Sequence, residues 1–205
     1  MHMDFKIVFI DDNLSETEAF VQNIRKHYPS VDYNHIFKKP NEGLEYVLNN
    51  LDSKMIVFID WNFGGYNEKG IDLLKAIREK TSLLYVVMMS ANKLGADFPL
   101  DAIIHMMNEE NFFYLDRSTG DFNTPIAIID KIRSHWETDF DCVLEQWLVK
   151  HPEDNCKEAY RNADNGDIYT WADILKELRK QTPIGKSFEH MINEYYIYQL
   201  GRFKK

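Results

Sequence analysis

The chain reads as a doubly wound α/β domain built on a five-stranded parallel sheet, followed by a small all-helical module. Three observations predict this. Short apolar runs rich in branched and aromatic residues begin at Phe5, Val31, Met55, Leu83 and Phe112. A stretch with helical spacing separates each run from the next, which is the signature of parallel strands joined by crossover helices. The run Met55 to Ile59 carries no charge, as a strand covered on both faces does.

Taken in order, Phe5 to Ile10 forms the first strand and ends at Asp11 and Asp12. The next helix takes Asn13 or Ser15 as its cap, Ser15 with Glu18 making a capping box, and buries Leu14, Phe20, Val21 and Ile24 before Pro29. Val31 to Phe37 is an edge strand. Pro40 and Asn41 start a helix with Leu44, Val47 and Leu48 inward. The Met55 strand delivers Asp60, and Asn62, Gly64 and Gly65 follow as loop residues. The helix Ile71 to Glu79 leads to the strand Leu83 to Met89, which delivers Ser90 and Ala91. A helix spans Leu100 to Met107. The last strand, Phe112 to Leu115, ends at Asp116 and Arg117.

In an open parallel sheet, ligands bind at the carboxyl ends of the strands. Asp11, Asp12 and Asp60 therefore converge at one edge. Three carboxylates that close repel unless a proton or a divalent cation neutralises them. Oxygen ligands and this charge suit Mg²⁺. A carboxylate so placed can attack phosphorus and form an aspartyl phosphate.

These residues resemble the receiver domain of two-component response regulators over roughly residues 4 to 135. The matching pieces are Asp11-Asp12, Asp60, Ser90-Ala91 and Tyr114, in that order. The resemblance implies a flavodoxin-like strand order of 2-1-3-4-5. It implies Asp60 as phosphoacceptor, taking its phosphoryl group from a histidine kinase or phosphotransfer protein. Asp11, Asp12, Asp60 and the backbone carbonyl of Asn62 would hold Mg²⁺. Ser90 would bind the phosphoryl oxygen, and Tyr114 would swing inward as the switch. No catalysis beyond self-phosphorylation and dephosphorylation is implied. One position departs: Arg117-Ser118 stands where receivers carry Lys-Pro, which also removes the family's usual cis peptide. Arginine keeps the charge but presents a bulkier planar fork, and it can pair with the phosphoryl group or with Asp60. The segment from Ser90 to Arg117 is also a few residues long for a receiver. The alternative is a degenerate receiver that binds partners without phosphorylation.

Beyond the receiver, 136-205 is expected to be a helical output module joined by one continuous helix from Pro125 to His151-Pro152. Ile129, Trp136, Phe140, Val143 and Trp147 give that helix a heptad-like seam, which either forms a homodimer or packs on the chain's own last helices. A polar stretch from Pro152 to Gly166 holds one short helix near Ala159. Thr170 caps a helix bearing Trp171, Ile174, Leu175 and Leu178, and Pro183 starts the last helix. Asn162 to Asp167 fails as a calcium loop, because Arg161 and Ala163 fall on ligand positions, and it reads as a turn.

Composition bounds the function. The 205 residues carry a net charge of -9, which argues against non-specific nucleic-acid binding. A DNA-binding regulator would need Arg, Lys, Asn or Gln on its recognition helix, whereas the last helix carries Glu189, Glu194 and tyrosines. A protein partner for the C-terminal module fits better. Only Cys142 and Cys156 occur, so no disulfide framework exists and a reduced cytoplasmic setting is expected. No run is long and apolar enough to span a bilayer.

Overall fold

The computed structural model describes residues 5–91 and 98–202, without the side chains of Tyr33 and Asn34. Residue 4, part of the loop after Ser90, and Lys204 and Lys205 of the basic tail lie outside the described residues.

Five strands form one parallel sheet: β1 (Lys6–Ile10), β2 (Asp32–Phe37), β3 (Met55–Asp60), β4 (Tyr85–Ser90) and β5 (Phe112–Asp116). The order is β2-β1-β3-β4-β5, as the resemblance implies. The crossovers are α1 (Ala19–His27), α2 (Pro40–Asn49), α3 (Gly70–Arg78) and α4 (Leu100–Met107), and α5 (Asn123–Trp136) follows β5. Burial explains why these runs are strands. Ile7 to Ile10, Ile56 to Ile59 and Val86 to Met89 are shut off from solvent on both faces. One core layer gathers Val8, Ile10, Val57, Ile59, Val86 and Met88 against Ile71, Leu74 and Ile77 of α3.

α1 starts later than the sequence predicts. Its N-cap is Glu18, whose Oε1 accepts the Ser15 N–H at 3.1 Å, while Ser15 Oγ pairs with Thr17. Ser15 therefore sits in the preceding turn and is not the helix cap.

The chain divides into two compact units between Ser134 and His135. The expected single helix through His151 is corrected here. α5 ends at Trp136, and α6 (Phe140–Lys150) starts afresh with Asp139 as its extended N-cap residue. The interruption has local causes. Thr138 Oγ1 and the N–H groups of Thr138 and Asp139 all donate to the His135 carbonyl, at 3.0, 3.0 and 3.1 Å, which closes a turn after α5 and leaves Asp139 extended. The heptad-like seam is therefore not continuous.

The second unit is helical but not all-helical. A hairpin of β6 (Glu158–Arg161) and β7 (Ile168–Thr170) replaces the short helix expected near Ala159. Its loop is the turn predicted for Asn162 to Asp167, closed by Asn162 N–H to Asp167 O at 2.9 Å, with Gly166 at φ +78. α7 (Trp171–Arg179) opens with a capping box between Thr170 and Asp173, and α8 (Pro183–Arg202) ends the described chain. Leu144, Leu148, Ile174, Leu178 and Phe188 form its core. Buried Arg179 of α7 donates through Nε to Asp141 of α6 at 3.0 Å. Among the described residues no helix is long and apolar enough to cross a membrane.

Candidate functional site

Four strand ends, those of β1, β3, β4 and β5, build the site. Asp11 follows β1 and stays in the ladder, its N–H donating to Phe37 O at 3.0 Å. Its carboxylate is buried. Oδ1 accepts the N–H groups of Asn13 and Leu14, each at 2.9 Å, and so fixes the turn after β1. Asp12 Oδ2 accepts the Gly64 N–H and the Asn13 amide, each at 3.0 Å, which ties the β1 loop to the β3 loop. Asp60 is the last residue of β3. Behind it, Trp61 N–H donates to Met89 O at 2.8 Å, and Gly70 N–H donates to Trp61 O at 2.9 Å. A Cβ at residue 70 would lie 2.4 Å from the Asp60 carbonyl oxygen, so only glycine lets α3 start this close.

The carboxylates of Asp11, Asp12 and Asp60 offer oxygen atoms within 4.8 Å of one another. Burial, and then the charge of Asp11, push the Asp60 carboxyl up to about 7; Arg117 and the Asn62 N–H oppose the rise. Asp12 Oδ1 is buried and has no hydrogen-bond partner among the described residues. An all-oxygen, net-negative set with a spare buried oxygen fits a hard divalent cation. Asp60 and Asp12 carry the freer oxygens. Asn62, expected to contribute its carbonyl, has its N–H on Asp60 and sits opposite Lys69 in an isolated bridge that holds the loop.

Arg117 opens a 3₁₀ turn (Arg117–Thr119) directly after β5. Its fork takes two acidic partners. One terminal nitrogen donates to Asp11 Oδ2 at 2.6 Å, and the other donates to Glu18 Oε2 at 3.3 Å. The guanidinium lies 5.5 Å from the Phe20 ring centroid. Arg117 therefore acts on Asp60 through its field, while its direct contact is Asp11. Sequence reasoning missed Glu18 and Phe20 as site residues. Glu18 had a sufficient local role as the partner of Ser15; it closes the turn before α1 by accepting the Ser15 N–H through Oε1 and also accepts from Arg117 through Oε2. A cleft lined by Glu18, Phe20, Leu115, Arg117, Gly120 and Phe122 opens beside this pair.

Ser90 is buried at the end of β4, opposite Asp116 in the register. Its side chain hydrogen-bonds the hydroxyl of Tyr114 on β5. Burial raises the Tyr114 phenol, Asp116 adds to the rise, and the Ser90 bond opposes it. The two residues assigned to the switch are thus already coupled, with Tyr114 packed against the core. Phe98 stands edge-on to Tyr114, centroids 5.8 Å apart, and lies 4.0 Å from the ring of buried Trp61. Trp61 and Phe98 had no sequence signal beyond being aromatic.

A second cluster, His151, Glu153 and Asp154, also has ligand atoms within 4.8 Å of one another. It lies on a 3₁₀ turn (Pro152–Asp154), where Lys157 pairs with Asp154.

No protein-family model matches the chain, and no curated protein matches it. Solved structures do. The response regulatory domain of mrkE from Klebsiella pneumoniae is 16% identical with a TM-score of 0.51, over 66% of this chain and 100% of that one. A probable two-component system response regulator/GGDEF domain protein is 15% identical with a TM-score of 0.50, over 65% of this chain and 51% of that one. A fusion carrying the yeast Spc42 trimeric coiled coil is 16% identical with a TM-score of 0.52, over 74% of this chain and 94% of that one. The strand order and these likenesses establish the receiver fold for the sheet-bearing unit.

Proposed function

We propose that this chain is a cytoplasmic response-regulator protein that accepts a phosphoryl group on Asp60 from the phosphohistidine of a histidine kinase or phosphotransfer protein. The observation that carries the reading is the convergence of Asp11, Asp12 and Asp60 at the carboxyl edge of the sheet, with Ser90 and Arg117 beside them. An Asp60 oxygen attacks phosphorus. A P–O bond forms, the N–P bond to the imidazole breaks, and the imidazole leaves after taking a proton. Water later cleaves the acyl phosphate and returns the carboxylate and inorganic phosphate.

Asp11, Asp12, Asp60 and the Asn62 carbonyl would hold Mg²⁺, which when bound supplies charge neutralisation for phosphoryl transfer. The chain's own residues do the rest. Burial keeps Asp60 in a medium where electrostatic interactions are strong. The Asn62 N–H orients its carboxylate. Ser90 stands ready to exchange its bond with Tyr114 for one with a phosphoryl oxygen, and that exchange biases β5 and its surroundings.

One observation favours a second reading. Arg117 is bonded to Asp11, a metal-ligand position, at 2.6 Å. A receiver whose acidic pocket holds its own cation can serve as an interaction scaffold without phosphorylation. A DNA-binding role ranks below both, because the chain's net charge is -9 and α8 sets exposed Glu189 and Glu194 among the few base-reading side chains it exposes, Lys186, Asn193 and Arg202.

Intact mass after incubation with acetyl phosphate and Mg²⁺ decides between the first two. A single phosphoryl adduct that requires Mg²⁺ and is lost in Asp60→Asn is the expected result. No adduct from acetyl phosphate, from a phosphoramidate, or from a phosphorylated histidine-kinase domain would leave the scaffold reading in its place.

A further inference from the structure

Arg117 is held by two acids that grip it unequally. Nη1 donates to Asp11 Oδ2 at 2.6 Å, and Nη2 donates to Glu18 Oε2 at 3.3 Å. Charge-assisted bonds of this kind settle at about 2.7 to 2.9 Å. The fork is thus drawn in against Asp11, and its Glu18 side has roughly half an ångström of slack. Asp11 has little else to offer a cation. Its Oδ1 already accepts the N–H groups of Asn13 and Leu14, and its side chain is 2% exposed. The oxygen that Arg117 holds is therefore the one a divalent cation at Asp11, Asp12 and Asp60 would need. Glu18 is placed to receive what Asp11 gives up. Its Oε1 accepts the Ser15 N–H at 3.1 Å, and its own N–H donates to the Ser15 carbonyl at 3.1 Å. The backbone so fixes the carboxylate and leaves Oε2 to Arg117. The other acids lining the same cleft serve the local backbone instead. Asp116 Oδ1 accepts the Ser118 N–H at 2.8 Å, and Asp121 accepts the Asn123 N–H at 2.8 Å and the Thr124 hydroxyl at 2.6 Å. Phe20, two residues on from Glu18, sets its ring centroid 5.5 Å from the guanidinium.

Resting on the reading of Asp11, Asp12 and Asp60 as a Mg²⁺ site, we propose that Glu18 is a positioning residue that takes Arg117 over from Asp11 when the divalent cation binds, so that cation and arginine share the pocket. Two cations on one carboxylate oxygen repel each other. A guanidinium whose sole acidic partner was Asp11 would have to resist the incoming ion or leave for solvent. With Glu18 and the Phe20 ring beside it, Arg117 closes the slack on its second bond and releases the first. Its charge then stays at the pocket, neutralised by an acid that is not a metal ligand. The shape of arginine is what permits this, because two terminal nitrogens span two carboxylates where a lysine ammonium is a single point of charge.

Titration calorimetry of Mg²⁺ into the full chain, in a double-mutant cycle of Glu18→Gln with Arg117→Ala, tests this without any phosphodonor. Glutamine keeps an oxygen for the Ser15 N–H and removes the charge that faces Arg117. Glu18→Gln should weaken Mg²⁺ about ten-fold when Arg117 is present, and about two-fold or less beside Arg117→Ala, where only the screened field of the lost charge remains. Glu16→Gln removes the same charge from the same turn, but Glu16 pairs with Arg25, and it should leave the affinity within about two-fold. A crystal structure of the parent with Mg²⁺ reads the handover directly, should Glu18→Gln fail to fold. The Arg117 bond to Glu18 should shorten to about 2.8 Å, and the bond to Asp11 should be gone. Equal weakening in both backgrounds, no weakening at all, or a guanidinium still on Asp11 beside the bound ion would overturn the proposal and leave the metal site standing. A parent that takes up no Mg²⁺ would overturn the metal site itself, and the proposal with it.

Discussion

Arg117→Ala separates the two things Arg117 does to the acidic pocket. Asp11 has a side chain 2% exposed, and its partner Arg117 is 26% exposed. Removing one partner of a fully buried ion pair costs roughly 3 to 5 kcal/mol, because the other charge is left uncompensated. Here Asp11 keeps two backbone N–H donors, and Arg117 is partly solvated, so a loss of about 2 kcal/mol is expected in EDTA. Magnesium changes the balance. Two unit charges 4 Å apart interact by about 4 kcal/mol at an effective dielectric of 20, and solvent and salt reduce this to about 1 to 2 kcal/mol. Taking the guanidinium away should therefore tighten Mg²⁺ binding about ten-fold. Ten-fold tighter binding adds up to about 1.4 kcal/mol of ligand-linked stability near saturation. Urea unfolding of parent and variant, each in EDTA and in Mg²⁺, reads both effects without any phosphotransfer. The gap between the proteins should be about 2 kcal/mol in EDTA and should narrow by about 1 kcal/mol in Mg²⁺. Equal stability in EDTA, or a parent that gains as much from Mg²⁺ as the variant, would refute the reasoning.

Three other outcomes follow from the same geometry. The Asp60 carboxyl binds its proton more tightly folded than unfolded, with about 7 against an ordinary 3.8. The native state then holds that proton between these values and stability falls as pH rises through the window. Asn imitates the neutral acid, so Asp60→Asn should match the parent near pH 4 and be the more stable near pH 8 in EDTA. The full shift corresponds to about 4 kcal/mol, and partial exposure reduces this to about 2 kcal/mol, measurable by urea unfolding at the two pH values. Gly70→Ala places a methyl 2.4 Å from the Asp60 carbonyl oxygen and 2.6 Å from Met88 Sδ. It should cost about 3 kcal/mol and depress phosphorylation of Asp60, read by thermal unfolding and intact mass. Phe188→Ala empties the centre of the second unit's core, where Phe188 meets Trp171 and Tyr160 edge-on, and should cost roughly 3 to 5 kcal/mol by urea unfolding.

The sheet was legible because its code is local. Uncharged runs such as Met55 to Ile59 admit few structures other than buried strands, and each ends at a polar residue that marks the edge of the sheet. Asp11, Asp12, Asp60 and Ser90 were legible for the same reason: chain position fixes which edge they reach. Contacts between elements were not. Arg117 had several acidic residues within reach, and the choice of Asp11 and Glu18 depends on how the N-terminal end of α1 meets the turn after β5, which no spacing encodes. The break after Trp136 was hidden because Glu137-Thr138-Asp139 contains neither glycine nor proline, and apolar steps of three and four continue across it. β6 was hidden because Glu-Ala-Tyr-Arg has no strong preference; its partner strand across the Asn162 turn decides its form.

The rings around Ser90 and Tyr114, the proposed switch, have an optical consequence. Trp61 is the sole tryptophan in the first 134 residues of the sequence, and it follows the proposed acceptor directly. Its indole is sealed from water and overlaps Phe98, and its N–H is without a hydrogen-bond partner among the described residues. An indole so enclosed emits at short wavelength, and its transition energy responds to the local electric field. Neutralising, ionising or phosphorylating the adjacent carboxyl alters that field without moving a single atom of the ring. With Trp136, Trp147 and Trp171 replaced by phenylalanine, the emission colour of this molecule becomes a voltmeter on Asp60.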